Sequence, residues 1–160
     1  MNPLVSICLP TRNGEKTITK TIKSILSQKY NNYELLISIN SSNDKIYSIC
    51  KNFKKRNKNI KIFTQNFLLS PTENHNFILK KAKGNFVVFI HDDDHWGSNF
   101  LKDGIKKLLS DNSAVAVYGK TIRYGTKFFK KENSINVFDR NLETRLNFFL
   151  KYNYGDKLIL

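Results

Sequence analysis

Residues 82–96 read Ala-Lys-Gly-Asn-Phe-Val-Val-Phe-Ile-His-Asp-Asp-Asp-His-Trp, and this stretch decides the fold. The Lys-Gly-Asn at 83–85 is typical of the end of a helix, and the apolar run at 86–90 has the length of a buried strand. Because a strand that is covered on both faces is apolar throughout, we expect this one to lie at the centre of a parallel sheet. The strand is followed by His91 and then by three consecutive carboxylates.

Short apolar runs and helical periodicities alternate over the rest of the chain. The clearest helix start is Ser70-Pro71-Thr72-Glu73, with a capping Ser, a Pro in the first helical position and a Glu three residues after the cap. Strict alternation predicts a single α/β domain over residues 1–160, with a mostly parallel sheet and helices on both faces. We predict strands at residues 4–9, 34–39, 60–63, 86–90 and 114–118, and helices at 14–28, 46–53, 70–82, 98–110 and 139–152.

The composition is that of one globular domain, with 160 residues, 40% hydrophobic and 25% charged. The longest apolar run has five residues, whereas a membrane-spanning helix needs about 20. The first basic residue, Arg12, follows the N-terminal apolar stretch, so the pattern of a secretory signal is absent. Cys8 and Cys50 have no CxxC spacing and are too few for a disulfide framework. We therefore expect a cytoplasmic protein.

The net charge of +14 attracts polyanions such as nucleic acid, acidic lipid headgroups or phosphorylated small molecules. A bias towards Lys and Asn accounts for much of this surplus without any partner. The densest basic segment, residues 51–61, is typical of a solvated helix end, with a membrane-surface or phosphate patch as the alternative. Since no nucleic-acid-binding motif is present, we expect no specific nucleic-acid partner.

The carboxylates of Asp92, Asp93 and Asp94 are the strongest candidates for chemistry. Ligands of parallel sheets bind beyond the carboxyl ends of the strands, near the point where the strand order reverses. Along an extended backbone, Asp92 and Asp94 would converge on one divalent cation while Asp93 faces elsewhere. Such oxygen ligands suit Mg²⁺ or Mn²⁺, with phosphate oxygens and water completing the shell. The alternative is a solvated acidic turn that caps the next helix.

The histidines offer a rival interpretation of the same segment. His91 and His95 flank the carboxylates and could bind zinc, but the segment lacks the helical geometry of an HExxH site. His75 lies in the capped helix, and we interpret it as a surface or structural residue.

Taken together, three segments resemble the nucleotide-sugar-binding half of family 2 glycosyltransferases with the GT-A fold: residues 5–13, residues 33–44 and residues 82–94. The resemblance covers residues 4–125. It implies metal-dependent transfer of a sugar from a nucleoside diphosphate sugar to a glycan or lipid-linked acceptor. With such an acceptor, the expected cytoplasmic protein could associate peripherally with the inner face of a membrane. It implies that a DxD motif, Asp92 and Asp94, holds Mn²⁺ or Mg²⁺, and that the nucleotide sugar is held by Pro10, Thr11, Arg12, Asn13, Asn40, Asp92 and Asp93.

Two features depart from the family pattern. The family usually has an Asp after the second strand that contacts the base, and this sequence has Ile39 followed by Asn40. Either Asn40 or Asp44 could substitute, although Asp44 also fits the N-cap of the next helix.

The second departure is the general base, which the family usually carries well beyond the DxD motif. No motif singles out any of the remaining acidic residues there, Glu132, Asp139, Glu143 and Asp156. The catalytic residue stays unassigned, and we expect the domain to be incomplete on its C-terminal, acceptor side. The rival function is a noncatalytic nucleotide-binding module of the same fold.

Overall fold

Strands and helices alternate along the chain in the computed structural model, which describes residues 2–111, 113–117 and 119. The elements are β1 (Val5–Thr11), α1 (Ile18–Leu26), β2 (Tyr33–Asn40), α2 (Ile46–Arg56), β3 (Ile60–Gln65), α3 (Pro71–Leu79), β4 (Phe86–Phe89) and α4 (Phe100–Ser110). Among the helices of these residues, none is long and apolar enough to cross a bilayer.

The four strands form one parallel sheet in the order β3-β2-β1-β4, which confirms the α/β prediction. The chain first builds the sheet outward from β1 to β3 and then returns to place β4 on the other side of β1. The strand order therefore reverses between β1 and β4. β4 pairs only with Val5 to Cys8, whereas β1 continues to Thr11, so a gap opens beside the last residues of β1.

In the described part of the chain β4 pairs with one strand, β1, so the central position expected for the strand at 86–90 stays a prediction. The centre is formed by β1 and β2, whose residues are all buried except Tyr33. Val87 and Val88 of β4 are nevertheless buried, because helices cover both faces of this strand. The apolar sequence of β4 is explained by the helices that cover both faces of the sheet at this strand.

The helices divide unequally between the two faces of the sheet. One face packs against α1, α2 and α4, with a core that includes Ile22, Cys50 and Ile105. The other face packs against α3, with Cys8 and Ile78 in a smaller cluster. Burial raises the pKa of both thiols, Cys8 and Cys50, to about 12.

A buried carboxylate closes the amino end of the sheet. Glu34, 6% exposed, accepts hydrogen bonds from Ser6 Oγ at 2.7 Å, from Lys61 Nζ at 2.7 Å and from the Lys83 N–H at 2.8 Å. Burial acts to raise the pKa of Glu34, but the hydrogen bonds from Lys61, Ser6 and Lys83 outweigh it and hold this pKa below its usual value. The Gly84 N–H donates to Ser6 Oγ at 2.8 Å and joins the same network.

Residues 114–117 differ from the prediction of a strand at 114–118, because they belong to no strand of the described sheet. The Ala114 N–H donates to the carbonyl of Asp111 at 3.0 Å, and Val117 packs against the core. A turn and side-chain packing thus tie the segment to the end of α4. Tyr118 and the predicted helix at 139–152 lie outside the described residues.

Candidate functional site

A cleft of about 530 Å³ opens at the carboxyl end of the sheet, where the strand order reverses. This is the position at which open α/β sheets bind their ligands. Its walls come from β1, the end of β2, the start of α3 and the loop after β4. The lining residues are Pro10, Thr11, Arg12, Asn40, Leu68, Leu69, Ser70, Pro71, Asn74, His75, His91 and Asp92. Of the eight predicted site residues, five therefore line this cleft.

Asp92 and Thr11 meet across the gap between β4 and β1. Thr11 Oγ1 donates a hydrogen bond to Asp92 Oδ2, and within the described residues this is the one hydrogen bond that the carboxylate makes. Gly14 allows the contact, since a Cβ at this position would lie 2.7 Å from Asp92 Cγ and 2.9 Å from Thr11 Oγ1. The carboxylate of Asp92 is thus oriented by the protein but keeps most of its capacity to accept bonds from a ligand.

The backbone after β4 is not extended as expected, because residues 92 and 93 form a turn. The Asp94 N–H donates to the His91 carbonyl at 3.2 Å, and Asp94 Oδ2 accepts from the His91 N–H at 3.3 Å. The argument that Asp92 and Asp94 point the same way by strand alternation is therefore wrong, although both remain in one short turn. Asp93 is exposed at the tip of that turn.

Asp92 and Asp94 are the two carboxylates of this turn that the sequence prediction assigns to a divalent cation, and of the two Asp92 lines the cleft. In the part of the chain that the structure describes, no three His, Cys, Asp or Glu side chains come together as a metal site. His91 and His95 therefore gain no further partner for zinc. Two hard oxygen donors fit Mg²⁺ or Mn²⁺ when a bound phosphate and water supply the remaining ligands.

Three buried polar side chains, two in α1 and one just after its end, hold this turn and the loop after it, and sequence reasoning missed them. Thr21, Ser24 and Gln28 lie at spacings of three and four, with Thr21 and Ser24 on one face of α1 and Gln28 two residues after its last residue. Thr21 Oγ1 donates to the carbonyl oxygens of Asp92 and Asp94, both at 2.8 Å. Ser24 Oγ accepts from the Trp96 N–H at 3.2 Å. Gln28 donates from Nε2 to the Gly97 carbonyl at 2.8 Å and accepts at Oε1 from the Leu101 N–H at 3.1 Å. Their spacing is the signal that could have found them.

The loops after β1 and β2 hold each other through hydrogen bonds. Asn13, with a positive φ of 55°, donates its N–H to Ser42 Oγ at 3.1 Å and accepts from the Asn43 N–H at 3.2 Å. Asp44 accepts from the N–H of Glu15 at 2.9 Å and from that of Ile46 at 3.2 Å. Asp44 therefore supports the start of α2, and neither Asn13 nor Asp44 lines the cleft.

Asn40 lines the cleft, but its side chain is bound to the backbone of the loop before α3. Its Nδ2 donates to the Leu69 carbonyl and its Oδ1 accepts from the Leu69 N–H, both at 2.9 Å. Ile39, at the position of the expected base-contacting Asp, is 4% exposed and packs in the core. The loop that Asn40 holds leads into α3, whose predicted capping box is confirmed by the reciprocal hydrogen bonds of Ser70 and Glu73.

His75 lines the cleft, and the interpretation of this residue as a surface or structural histidine stays a prediction. Its Nδ1 lies 2.8 Å from the carbonyl of Pro71, so Nδ1 carries the proton and Nε2 is left as an acceptor. Burial and the neighbouring His91 lower the pKa of His75, against the opposing effect of the Pro71 hydrogen bond. The ring centroids of His75 and His91 are 5.9 Å apart. His75 is the fifth residue of α3, and nothing in the sequence signals its position beside the cleft.

Comparison with known proteins identifies the family. The sequence model described as "Glycosyl transferase family 2" matches residues 6–159. The GalNAc(5)-diNAcBac-PP-undecaprenol beta-1,3-glucosyltransferase of Campylobacter jejuni is 31% identical over 149 residues, which is 92% of this chain and 48% of that protein. The UDP-Glc:alpha-D-GlcNAc-diphosphoundecaprenol beta-1,3-glucosyltransferase WfgD of Escherichia coli is 36% identical over 109 residues, 68% of this chain and 42% of that protein. The chain thus spans less than half the length of these curated relatives.

Solved structures agree with this assignment. Residues 1–349 of S. aureus TarS in complex with UDP-GlcNAc superpose with a TM-score of 0.64 at 27% identity, covering 75% of this chain and 37% of that one. The mannosyltransferase PcManGT of Pyrobaculum calidifontis, in complex with GDP-Man and Mn²⁺, has the same fold, with a TM-score of 0.69 at 20% identity over 76% of this chain and 36% of that one. The parallel sheet, the cleft at its switch point and the match over residues 6–159 lead to one conclusion: this chain belongs to glycosyl transferase family 2.

Proposed function

We propose that this chain forms the donor-binding part of a metal-dependent glycosyltransferase, which transfers a sugar from a nucleoside diphosphate sugar to a lipid-linked acceptor or another glycan. The observation that carries the proposal is the Asp92 carboxylate, which Thr11 orients at the switch-point cleft and which has no other hydrogen bond among the described residues. A carboxylate in that position is available to a ligand.

The nucleotide would lie along the end of β1. Pro10, Thr11 and Arg12 line the cleft there, and Arg12 is exposed, so its guanidinium can reach a phosphate group. Asn13 and Asn40 support this part of the site by holding the two neighbouring loops, through the hydrogen bonds described above. Because Ile39 is buried in the core, the base is read by other residues than the Asp that is usual in the family.

The diphosphate would lie beside the turn at 91–94. Negative charge grows on the leaving diphosphate as the sugar becomes oxocarbenium-like, so the site must stabilise that charge. Asp92 and Asp94 would hold Mn²⁺ or Mg²⁺, and the metal supplies Lewis-acid stabilisation of the leaving group when bound. Thr11 orients Asp92, while Thr21 binds the backbone of the turn that carries both carboxylates. Asp93, at the tip of the turn, is a secondary contact to the donor.

The acceptor side of the proposal rests on the relatives. The two glucosyltransferases named above carry undecaprenol-linked acceptors in their names, and one also names UDP-Glc as its donor. We extend that class of acceptor to this chain, with the reaction at the cytoplasmic face of the membrane. The candidate bases Glu132, Asp139, Glu143 and Asp156 lie outside the described residues, and none is assigned.

Calorimetry with UDP and GDP in the presence and absence of Mn²⁺ tests the proposal. We expect binding that requires the metal and that weakens about 10-fold or more in Asp92→Asn, since a lost metal ligand has at least the effect of a lost supporting group. Asp94→Asn should also weaken it. Asp93→Asn is the matched control, with the same loss of charge in the same turn and a milder effect. Binding that is unchanged by EDTA, or equal loss in Asp92→Asn and Asp93→Asn, would contradict the proposal.

A sugar-transfer assay distinguishes the proposed transferase from the rival noncatalytic nucleotide-binding module. UDP-glucose, UDP-galactose, UDP-N-acetylglucosamine and GDP-mannose are offered with Mn²⁺ and lipid-linked acceptors. Sugar transfer that Asp92→Asn abolishes supports the transferase, whereas metal-dependent nucleotide binding without transfer by the full-length protein supports the module.

A further inference from the structure

A second groove, of about 660 Å³, lies between the C-terminal halves of α1 and α2. Three cationic side chains line it: Lys23 from α1, and Lys55 and Arg56 from α2. Leu26 and Phe53 contribute half-buried apolar surface between them, and no acidic residue is among the lining residues. We call these five residues the basic groove.

The two sequence segments that form the basic groove contain basic residues and no acidic residue. Residues 45–72 contain seven Lys and Arg and no Asp or Glu, and residues 16–33 contain four Lys and no acid. Within the described residues, the one Lys of these segments that forms an ion pair is Lys61, with Glu34. The cations of α1 and α2 therefore have no ion-pair partner in the described part of the chain.

Helix stability explains only part of this pattern. Cations in the last turn of a helix interact favourably with its dipole, which accounts for Lys54, Lys55 and Arg56 at the end of α2. It does not account for Lys51 in the middle of α2, or for the absence of any acid along both helices. An exposed tyrosine, Tyr47, also lies on α2, and it is 49% exposed with Lys51 Nζ 5.9 Å from its ring centroid.

We infer that the basic groove is a docking surface for an anionic phospholipid bilayer. Lys and Arg stems can lie along the apolar surface of Leu26 and Phe53 while their charged ends contact lipid phosphates. Basic segments of this kind are attracted to anionic leaflets. The inference deepens the proposed function and rests on it for its purpose, because an enzyme that uses a lipid-linked acceptor must work at a membrane.

The groove and the cleft lie apart. In this fold each helix runs antiparallel to the strands it connects, so the C-terminal ends of α1 and α2 lie near the amino ends of the strands. The cleft lies at the carboxyl ends. A bilayer that contacts the basic groove therefore leaves the cleft open, and vesicle binding and donor binding can be measured separately.

Vesicle flotation without nucleotide or metal tests the inference. The protein is mixed with vesicles of phosphatidylcholine alone, or with about one third phosphatidylglycerol, an anionic fraction large enough to give a negative surface potential. We expect binding to the anionic vesicles only. The triple variant Lys23→Glu, Lys55→Glu, Arg56→Glu should lose about 10-fold or more of that affinity, since each basic residue near the surface contributes measurably.

The matched control places the same change of charge on α4, as Lys102→Glu, Lys106→Glu, Lys107→Glu, three exposed lysines away from the basic groove. It should lose much less affinity. A milder triple variant, Lys23→Gln, Lys55→Gln, Arg56→Gln, is used if the first does not fold, as judged by circular dichroism. Equal losses in groove and control variants, or equal binding to both kinds of vesicle, would overturn the inference.

Two further outcomes separate this inference from its rivals. Tighter binding of random duplex DNA than of anionic vesicles, with the same dependence on the groove, would assign the groove to nucleic acid and overturn the membrane assignment. Metal-dependent UDP binding should be intact in the groove variant. If vesicle binding is groove-dependent but UDP does not bind even to the unaltered protein, the docking surface stands and the proposed function fails.

Discussion

Glu34 and Asp92 are two carboxylates at opposite ends of the same sheet, and they have opposite surroundings. Glu34, near the amino end, accepts hydrogen bonds from two side chains and one backbone N–H, and it is 6% exposed. Asp92, near the carboxyl end, accepts one hydrogen bond, from Thr11, among the described residues and faces a cleft. Buried polar groups such as Glu34 are normally satisfied by hydrogen bonds within the protein, whereas the half-exposed Asp92 keeps free acceptor capacity, which fits the donor site proposed above.

The two ends also differ in what surrounds their glycines. A Cβ on Gly84, at the amino end, would meet backbone atoms, with Ser6 N at 2.6 Å and the Leu4 and Phe86 carbonyl oxygens at 2.8 Å. A Cβ on Gly14 would meet the side chains of Asp92 and Thr11. The amino end is closed by backbone that cannot move without separating strands, whereas the carboxyl end is closed by side chains that a ligand can rearrange.

Removing the carboxylate of Glu34 should have the largest effect on stability. Glu34→Ala leaves Ser6 Oγ without its acceptor and Lys61 without its ion pair, and the Lys83 N–H keeps only its longer hydrogen bond, to Ser6 Oγ at 3.1 Å. We expect a loss of about 3 kcal/mol in the free energy of unfolding, measured by urea denaturation, because breaking one partner of a buried pair costs about 3–5 kcal/mol and Lys61 is partly solvated. Glu34→Gln keeps an acceptor and should lose less. A change in Glu34→Ala below about 0.5 kcal/mol, the usual range of surface substitutions, would contradict a structural role.

The two glycines sharpen the comparison between stability and binding. Gly84→Ala should destabilise the fold by about 2 kcal/mol, as overpacking does, because backbone of β1 and β4 must move. Gly14→Ala should change the free energy of unfolding by less than about 1 kcal/mol, since the Asp92 side chain can rotate away. Gly14→Ala should nevertheless weaken metal-dependent UDP binding about 10-fold, by analogy with lost support of a ligand. The reverse pattern, an unstable Gly14→Ala with intact binding, would contradict the assignment of Asp92 to the donor site.

The pH dependence of stability should give the smallest effect. The folded-state pKa of Glu34 lies below its ordinary value of 4.5, so the ionised form stabilises the fold. This contribution is fully present above pH 4.5 and is lost as the pH falls through the lower, folded-state pKa. Urea denaturation over that acidic range should show a decline in the unaltered protein that is reduced in Glu34→Gln. Identical declines in both proteins would show that other groups carry the acid sensitivity.

Much of the fold follows from local sequence patterns. The parts that could not be predicted share one physical cause, which is that they depend on contacts between distant residues. The alternation of apolar runs and helical stripes predicts all four described strands, and Ser70 and Glu73 predict the start of α3, because both signals are local. The order of strands is not local. Residues 86–90 are apolar because helices cover them, and their sequence carries no information on which strands lie beside them.

The candidate site shows the same division. The position of Asp92 at the end of an apolar strand is visible in the sequence, and so is its proximity to the end of β1 once the sheet is parallel. The turn at 92–93 is not, because Thr21, some 70 residues away in sequence, binds its carbonyl oxygens. The position of His75 beside the cleft is not visible in the sequence for a similar reason, since its neighbours Phe89 and His91 lie outside α3.

The two buried cysteines are built-in probes of local unfolding. Cys8 is packed under α3 and Cys50 belongs to α2 on the opposite face, and these are the two cysteines of the sequence. With pKa values near 12, neither thiol forms appreciable thiolate at neutral pH while it is buried. Each can react with a thiol reagent only when its own helical layer detaches. The labelling rates of Cys8 and Cys50 therefore time the opening of the two faces independently, without any probe being introduced.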